Sequence, residues 1–130
     1  MELYFATGNE GKVEDAREIL EQPVEQVEVE VVEPCLDSIE EIARAKVEQA
    51  VEKSQLHGAH LMADDSGLFV DDLDGFPGRN TSFFDRKVGK EALLDLVEEG
   101  ADAEFRAAVA LRDPETGEVE VFTGKVEGEL

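Results

Sequence analysis

Two short stretches of the 130-residue chain hold residue types from which catalysis can be built. The first is Thr7-Gly8-Asn9-Glu10-Gly11-Lys12, which follows an apolar run, Leu3 to Ala6, and opens a pattern with helical spacing. Glycines let backbone N–H groups approach an anion, a helix N-terminus contributes partial positive charge, and Lys12 contributes a full one, so the stretch reads as a phosphate-binding loop. It matches neither Gly-x4-Gly-Lys-[Ser/Thr] nor Gly-x-Gly-x-x-Gly. Its other reading is an ordinary strand-to-helix turn. The second stretch is Asp64-Asp65-Ser66-Gly67, two carboxylates set between apolar segments. A lone buried carboxylate is costly, so such acids commonly hold a metal or a hydrogen-bond network. Oxygen ligands suit Mg²⁺ or Mn²⁺, and a carboxylate there could also orient or deprotonate water. A polar turn capped by Asp64 is the alternative.

Other candidates are weaker. Glu33 closes a Val/Glu alternation just before Pro34 and could point into a site at the end of a sheet, or be one more surface acid. Asp71, Asp72 and Asp74 echo a calcium loop, but Val70 and Thr81 stand at its first and twelfth ligand positions. His57 and His60 lack an acidic zinc motif and read as surface histidines. Residues 75–90 hold Arg79, Arg86, Lys87 and Lys90 against a single acid, Asp85, in a chain with only 12 basic residues. That segment reads either as a phosphate- or partner-facing loop, with Phe76, Phe83 and Phe84 as packing groups, or as a patch paired with surrounding acids.

These residues must be held by regular elements. Val13, Ala16, Ile19 and Leu20 mark a helix after the first loop, and Val24 to Val32 alternates with period two, predicting a strand with Val27, Val29 and Val31 on one face. Ser38, followed by Glu41, is a capping box opening a helix striped by Ile39, Ile42, Ala43, Val47, Ala50 and Val51 and ending near Leu56. A strand region follows from His60, interrupted by the acid pair; 75–89 reads as a loop and Glu91 to Glu99 as a short helix. Phe105 to Leu111 and Val119 to Thr123 flank Asp113-Pro114-Glu115-Thr116-Gly117 and predict a hairpin. The class is α/β, a mixed β-sheet flanked by helices, in one domain spanning 1–130.

Composition sets the surroundings. With 33 Asp and Glu against 12 Lys and Arg the net charge is −21, which disfavours nucleic acid and anionic membrane as partners. At molar salt the Debye length falls to about 3 Å and self-repulsion largely vanishes, so a salt-rich cytoplasm is expected. The single Cys35 excludes an internal disulfide and reads as a filler of a half-buried position. The acidic N-terminus and the absence of a run of roughly 18 apolar residues argue against a secretory signal or membrane span.

Thr7-Gly8-Asn9 with Lys12, Asp64-Asp65-Ser66-Gly67-Leu68, and Phe76-Pro77-Gly78 with Ser82 together resemble the inosine triphosphate pyrophosphatase family, and Lys87-Val88-Gly89-Lys90 resembles its archaeal members. The resemblance implies hydrolysis of purine nucleoside triphosphates such as ITP, dITP and XTP to the monophosphate and pyrophosphate, with Mg²⁺. It implies that Thr7, Gly8, Asn9 and Lys12 hold the triphosphate, that Ser66 contacts substrate, that Asp65 activates water and binds metal, and that Glu33 is the second metal ligand. Pro34-Cys35 departs from the family's usual residues beside that glutamate. It also implies a homodimer. A Phe-Gly-Tyr-Asp stretch and a late Ser-His-Arg, which read the base in the family, are missing, so a C-terminally truncated domain is expected. The competing functions are a pyrophosphatase for other modified nucleotides and an inactive metal- or nucleotide-binding remnant.

Overall fold

Residues 1–32 and 35–130 are described by a computed structural model. Five strands run in the order β2 (Glu25–Val27), β1 (Leu3–Ala6), β3 (His60–Val70), β5 (Asp102–Arg112), β6 (Val119–Glu129), and the two-residue β4 (Pro77–Gly78) pairs with the far end of β3. β1 is parallel to β2 and β3, whereas β3, β5 and β6 are antiparallel, so the sheet is mixed, as expected. Helix α1 (Glu10–Leu20) covers one face and α2 (Ile39–Ser54) the other; α3 (Thr81–Lys87) and α4 (Lys90–Asp95) follow β4.

The two cores differ in texture. Under α1, Val13 packs with Leu3, Phe5, Val24 and Met62. Under α2, Ala43, Val47 and Ala50 meet Leu61, Ala63, Ala108 and Ala110, all fully buried. The small alanines let the helix axis lie close to the sheet, while burial of Leu61 contributes roughly 2 kcal/mol. Both helices start at the caps their sequences offer. Asn9 Oδ1 accepts from the Gly11 N–H at 2.9 Å, and Ser38 Oγ accepts from the Glu41 N–H at 3.1 Å.

Several boundaries depart from expectation, each for a tertiary reason. The strand expected over Val24 to Val32 is confined to Glu25–Val27, because its partner β1 ends at Ala6, opposite Val27. Val27, Val29 and Val31 still pack on the α2 core, and Val32 is held by Gln49, whose side-chain amide accepts from the Val32 N–H and donates to its carbonyl, both at 2.8 Å. The 75–89 loop instead contains β4 and α3, with Phe76 and Phe84 in edge-to-face contact at 5.2 Å. The helix expected over Glu91 to Glu99 stops at Asp95, α2 ends at Ser54 rather than near Leu56, and the hairpin strands are longer than predicted. Cys35 is exposed rather than half-buried.

Candidate active site

The acid pair does not interrupt a strand. β3 runs unbroken from His60 through Asp64-Asp65-Ser66-Gly67 to Val70, and what ends is its neighbour. Pairing with β1 stops at Phe5 opposite Met62, and pairing with β4 starts at Gly78 opposite Leu68. Between those points, among the described residues, 63–67 have a strand partner only on the β5 side, which leaves a notch in the ladder. The notch lies just beyond the carboxyl ends of the parallel strands β1 and β2, where sheets of this kind commonly bind ligands.

Alternation along β3 sends the two carboxylates to opposite faces. Asp64 lies on the α1 side, where its Oδ2 accepts from Lys12 Nζ at 2.8 Å. Asp65 is on the face of Leu61 and Ala63, under α2, only 7% exposed, with Lys46 Nζ 3.9 Å from its Oδ1. The Lys46 ammonium also donates to the Asp64 backbone carbonyl at 2.8 Å. Each acid therefore has a lysine from the helix covering its own face. Lys46 is absent from the candidates drawn from sequence, yet a signal existed: with Ile42 and Ala50 four residues away on either side, it is a lone charge on the buried stripe of α2.

The loop expected to bind phosphate sits at the same place. Asn9 caps α1, the Asn9 N–H donates to Thr7 Oγ1 at 3.1 Å, and Gly8 is exposed at the end of β1. Lys12 has three donors, so its bond to Asp64 leaves capacity for an oxyanion. Ser66, half-buried, shares the Asp64 face by alternation. Gly67 serves packing instead. A Cβ there would lie 2.2 Å from the Gly78 carbonyl oxygen, so only glycine lets β4 close on β3. Thr81 locks that approach, accepting from the Leu68 N–H at 2.9 Å and donating to the Gly78 carbonyl at 2.6 Å. Glu33 lies outside the described residues.

Among the described residues none of Arg79, Arg86, Lys87 and Lys90 makes an ion pair within 4.0 Å. Arg79 and Arg86 line a cavity of about 260 Å³ with Asn80, Ser82 and Phe83, and Arg79 Nη1 donates to Cys35 Sγ at 3.4 Å.

The Ham1 family profile matches residues 3–130. The chain belongs to the Ham1 family. Relatives within it include proteins named dITP/XTP pyrophosphatase from Methanopyrus kandleri, 36% identical over all of this chain and 70% of the relative, and from Ignicoccus hospitalis, 38% identical over 98% and 69%. Among solved structures, the nucleoside-triphosphatase / dITP/XTP pyrophosphatase of Mycobacterium abscessus superposes with a TM-score of 0.75 at 30% identity, covering this whole chain and 74% of that one. The Staphylococcus aureus Ham1 protein gives 0.77 at 28% identity, covering 100% and 72%. The Ham1 fold thus accounts for the mixed sheet and its flanking helices.

Proposed function

We propose that this chain, acting as a single domain, hydrolyses purine nucleoside triphosphates outside the standard set (ITP, dITP, XTP) to the monophosphate and pyrophosphate. The observation that carries the reading is the notch in the β3 ladder, flanked on the α1 face by a capped glycine loop, Lys12 and Ser66 and on the α2 face by the buried Asp65–Lys46 pair. Thr7, Gly8, Asn9 and Lys12 hold the triphosphate, and Ser66 contacts it. Asp65 takes the proton of the attacking water as the anhydride bond between the α- and β-phosphates breaks and pyrophosphate leaves. Lys46 orients Asp65, its Nζ 3.9 Å from Asp65 Oδ1.

A divalent cation fits this donor set. Mg²⁺ typically uses one or two carboxylates together with waters and substrate phosphates, and the notch offers the buried Asp65 carboxylate, one residue along β3 from the Asp64 that Lys12 of the loop holds. Asp65 and Glu33 are the residues proposed to hold Mg²⁺, with Mn²⁺ as a substitute. When bound, the cation neutralises phosphate charge, which is needed in a chain carrying −21.

Asp65→Asn is the test. With dITP as substrate it is expected to lower turnover by about 10²–10⁴-fold with thermal unfolding little changed. Equal pyrophosphate release by both proteins would falsify the mechanism. Calorimetry with Mg²⁺ and a non-hydrolysable ITP analogue separates an enzyme from a module that binds without turnover, and a panel including modified pyrimidine nucleotides separates the two pyrophosphatase readings.

The setting proposed is a reducing, salt-rich cytoplasm of archaeal type. It is supported by the net charge, the lone thiol and the archaeal relatives named above. No helix among the described residues is long and apolar enough to cross a membrane. The melting temperature is expected to rise by several degrees between dilute and molar KCl as self-repulsion is screened; a flat or falling profile removes the salt-adapted reading.

A further inference from the structure

The basic segment after β4 has no part in the site built so far, yet it comes close to it. Arg79, Ser82 and Arg86 recur at spacings of three and four, so they share one side of α3 and the turn before it. With Asn80 they line the cavity of about 260 Å³, and Ile42 of α2 and Cys35 line it too. Ile42 stands one helical turn, about 6 Å, before Lys46. Thr81 ties α3 to the Leu68 N–H of β3, three residues and about 10 Å along the strand from Asp65. The cavity therefore lies near the notch, on the α2 side of the sheet.

The ionic balance of the notch leaves work for such a cavity. Lys12 faces Asp64 at 2.8 Å and Lys46 faces Asp65 at 3.9 Å, so each lysine is matched by an aspartate and the four charges cancel. A triphosphate would bring several more negative charges to a chain already at −21. Cations beyond those two pairs must meet them. Among the described residues no acid lines the cavity, and Arg79 and Arg86 make no ion pair within 4.0 Å; Asp37 acts on Arg79 only from farther off. A concave surface lined by one sign of charge concentrates ions of the other.

The donors are also at hand. Arg79 directs Nη1 at Cys35 Sγ, a weak acceptor, at 3.4 Å, and Arg86 Nε donates to the Ser82 carbonyl at 3.3 Å. Each guanidinium has five N–H groups, so both keep donors for a ligand, and planar forks of this kind match phosphate oxygens two at a time. The Ser82 hydroxyl and the Asn80 amide add neutral donors. We propose that this cavity binds a pyrophosphate group, either the β- and γ-phosphates of the substrate or the pyrophosphate released from it, an inference that rests on the hydrolysis proposed above. The Thr7–Lys12 loop then holds the phosphate chain from the α1 side and the two arginines from the α2 side. Directed hydrogen bonds from weakly hydrated guanidinium groups keep such a site usable in salt that screens a bare charge.

The test is calorimetry with inorganic pyrophosphate in metal-free buffer, on the unmodified chain and two double variants whose folds are checked by circular dichroism. Arg79→Gln with Arg86→Gln is expected to weaken binding by at least about tenfold, the worth of hydrogen bonds to a charged group. Lys87→Gln with Lys90→Gln removes the same charge from outside the cavity lining and should leave affinity within about twofold, since distant exposed charges are screened. Kinetics with dITP then tell the two sources apart. If the cavity takes the substrate's own phosphates, KM rises in the arginine variant by a factor similar to the loss of affinity; if it takes only the released product, KM holds and inhibition by added pyrophosphate weakens instead. Three results overturn the proposal: no binding of pyrophosphate by the unmodified chain, equal binding by the arginine variant, or an equal loss in the lysine variant. Calorimetry needs no turnover, so pyrophosphate binding can fail while dITP is still hydrolysed, and hydrolysis can fail while pyrophosphate still binds.

Discussion

The two sides of β3 are built differently. Toward β1 and β2 the ladder is parallel, short and broken, and both faces are covered by helices. Toward β5 and β6 it is antiparallel, unbroken over at least ten residue pairs, and one face is largely open. The proposed chemistry sits on the first side because a gap in a ladder leaves a backbone edge open between two helix-covered faces. The second side offers a continuous ladder with no gap from β3 through β5 to β6. One strand serves both because its pairing, not its own conformation, changes along its length.

That contrast can be broken at defined points. Lys46→Met removes the cation beside Asp65 and is expected to lower kcat for dITP by roughly tenfold to a hundredfold, the worth of a hydrogen bond or pairing to a charged group; an unchanged kcat would detach α2 from the site. Gly67→Ala attacks the joint between the halves. With the Gly78 carbonyl only 2.2 Å from the new Cβ, β4 must shift, and urea unfolding is expected to show a loss of about 1–3 kcal/mol. A neutral result there would mean that β4 is not needed to close the notch.

The smallest effect belongs to the hairpin. The hydrogen bond from Arg106, then the charges of Arg106 and Lys125, hold the Glu104 carboxyl below its usual range. A depressed carboxylate stabilises the fold above its unfolded pKa and loses that contribution as pH falls through the folded one. Thermal melts of Glu104→Gln should therefore fall slightly short of the parent protein at neutral pH and converge on it as pH drops past the ordinary carboxylate value of about 4 and through the lower folded one. A difference that widened on acidification would have the wrong sign.

Much of this is legible in the residues. Ser38 with Glu41 marks the start of α2, Asp113 to Gly117 marks the hairpin turn, and the valine alternation shows which side chains seek the core even where the strand stops. The Thr7–Lys12 loop and the acid pair can be found by residue type and order alone. Lys46 is harder to see, because a charge on an apolar helix stripe is informative only once something opposite it is known. The break expected at Asp64-Asp65 is real, but it is a break in the pairing of β3 and not in its conformation.

The sequence by itself determined the local features: periodicity, caps, turns, charge and the chemical types available at each position. These depend on interactions within a few residues, so they survive without knowledge of the fold. Only the tertiary structure decided where β1 ends against β3, which face each aspartate takes, which lysine each one meets, and that Gly67 is there for β4. Those outcomes depend on the lengths and registers of elements distant in the chain, and no single segment encodes them.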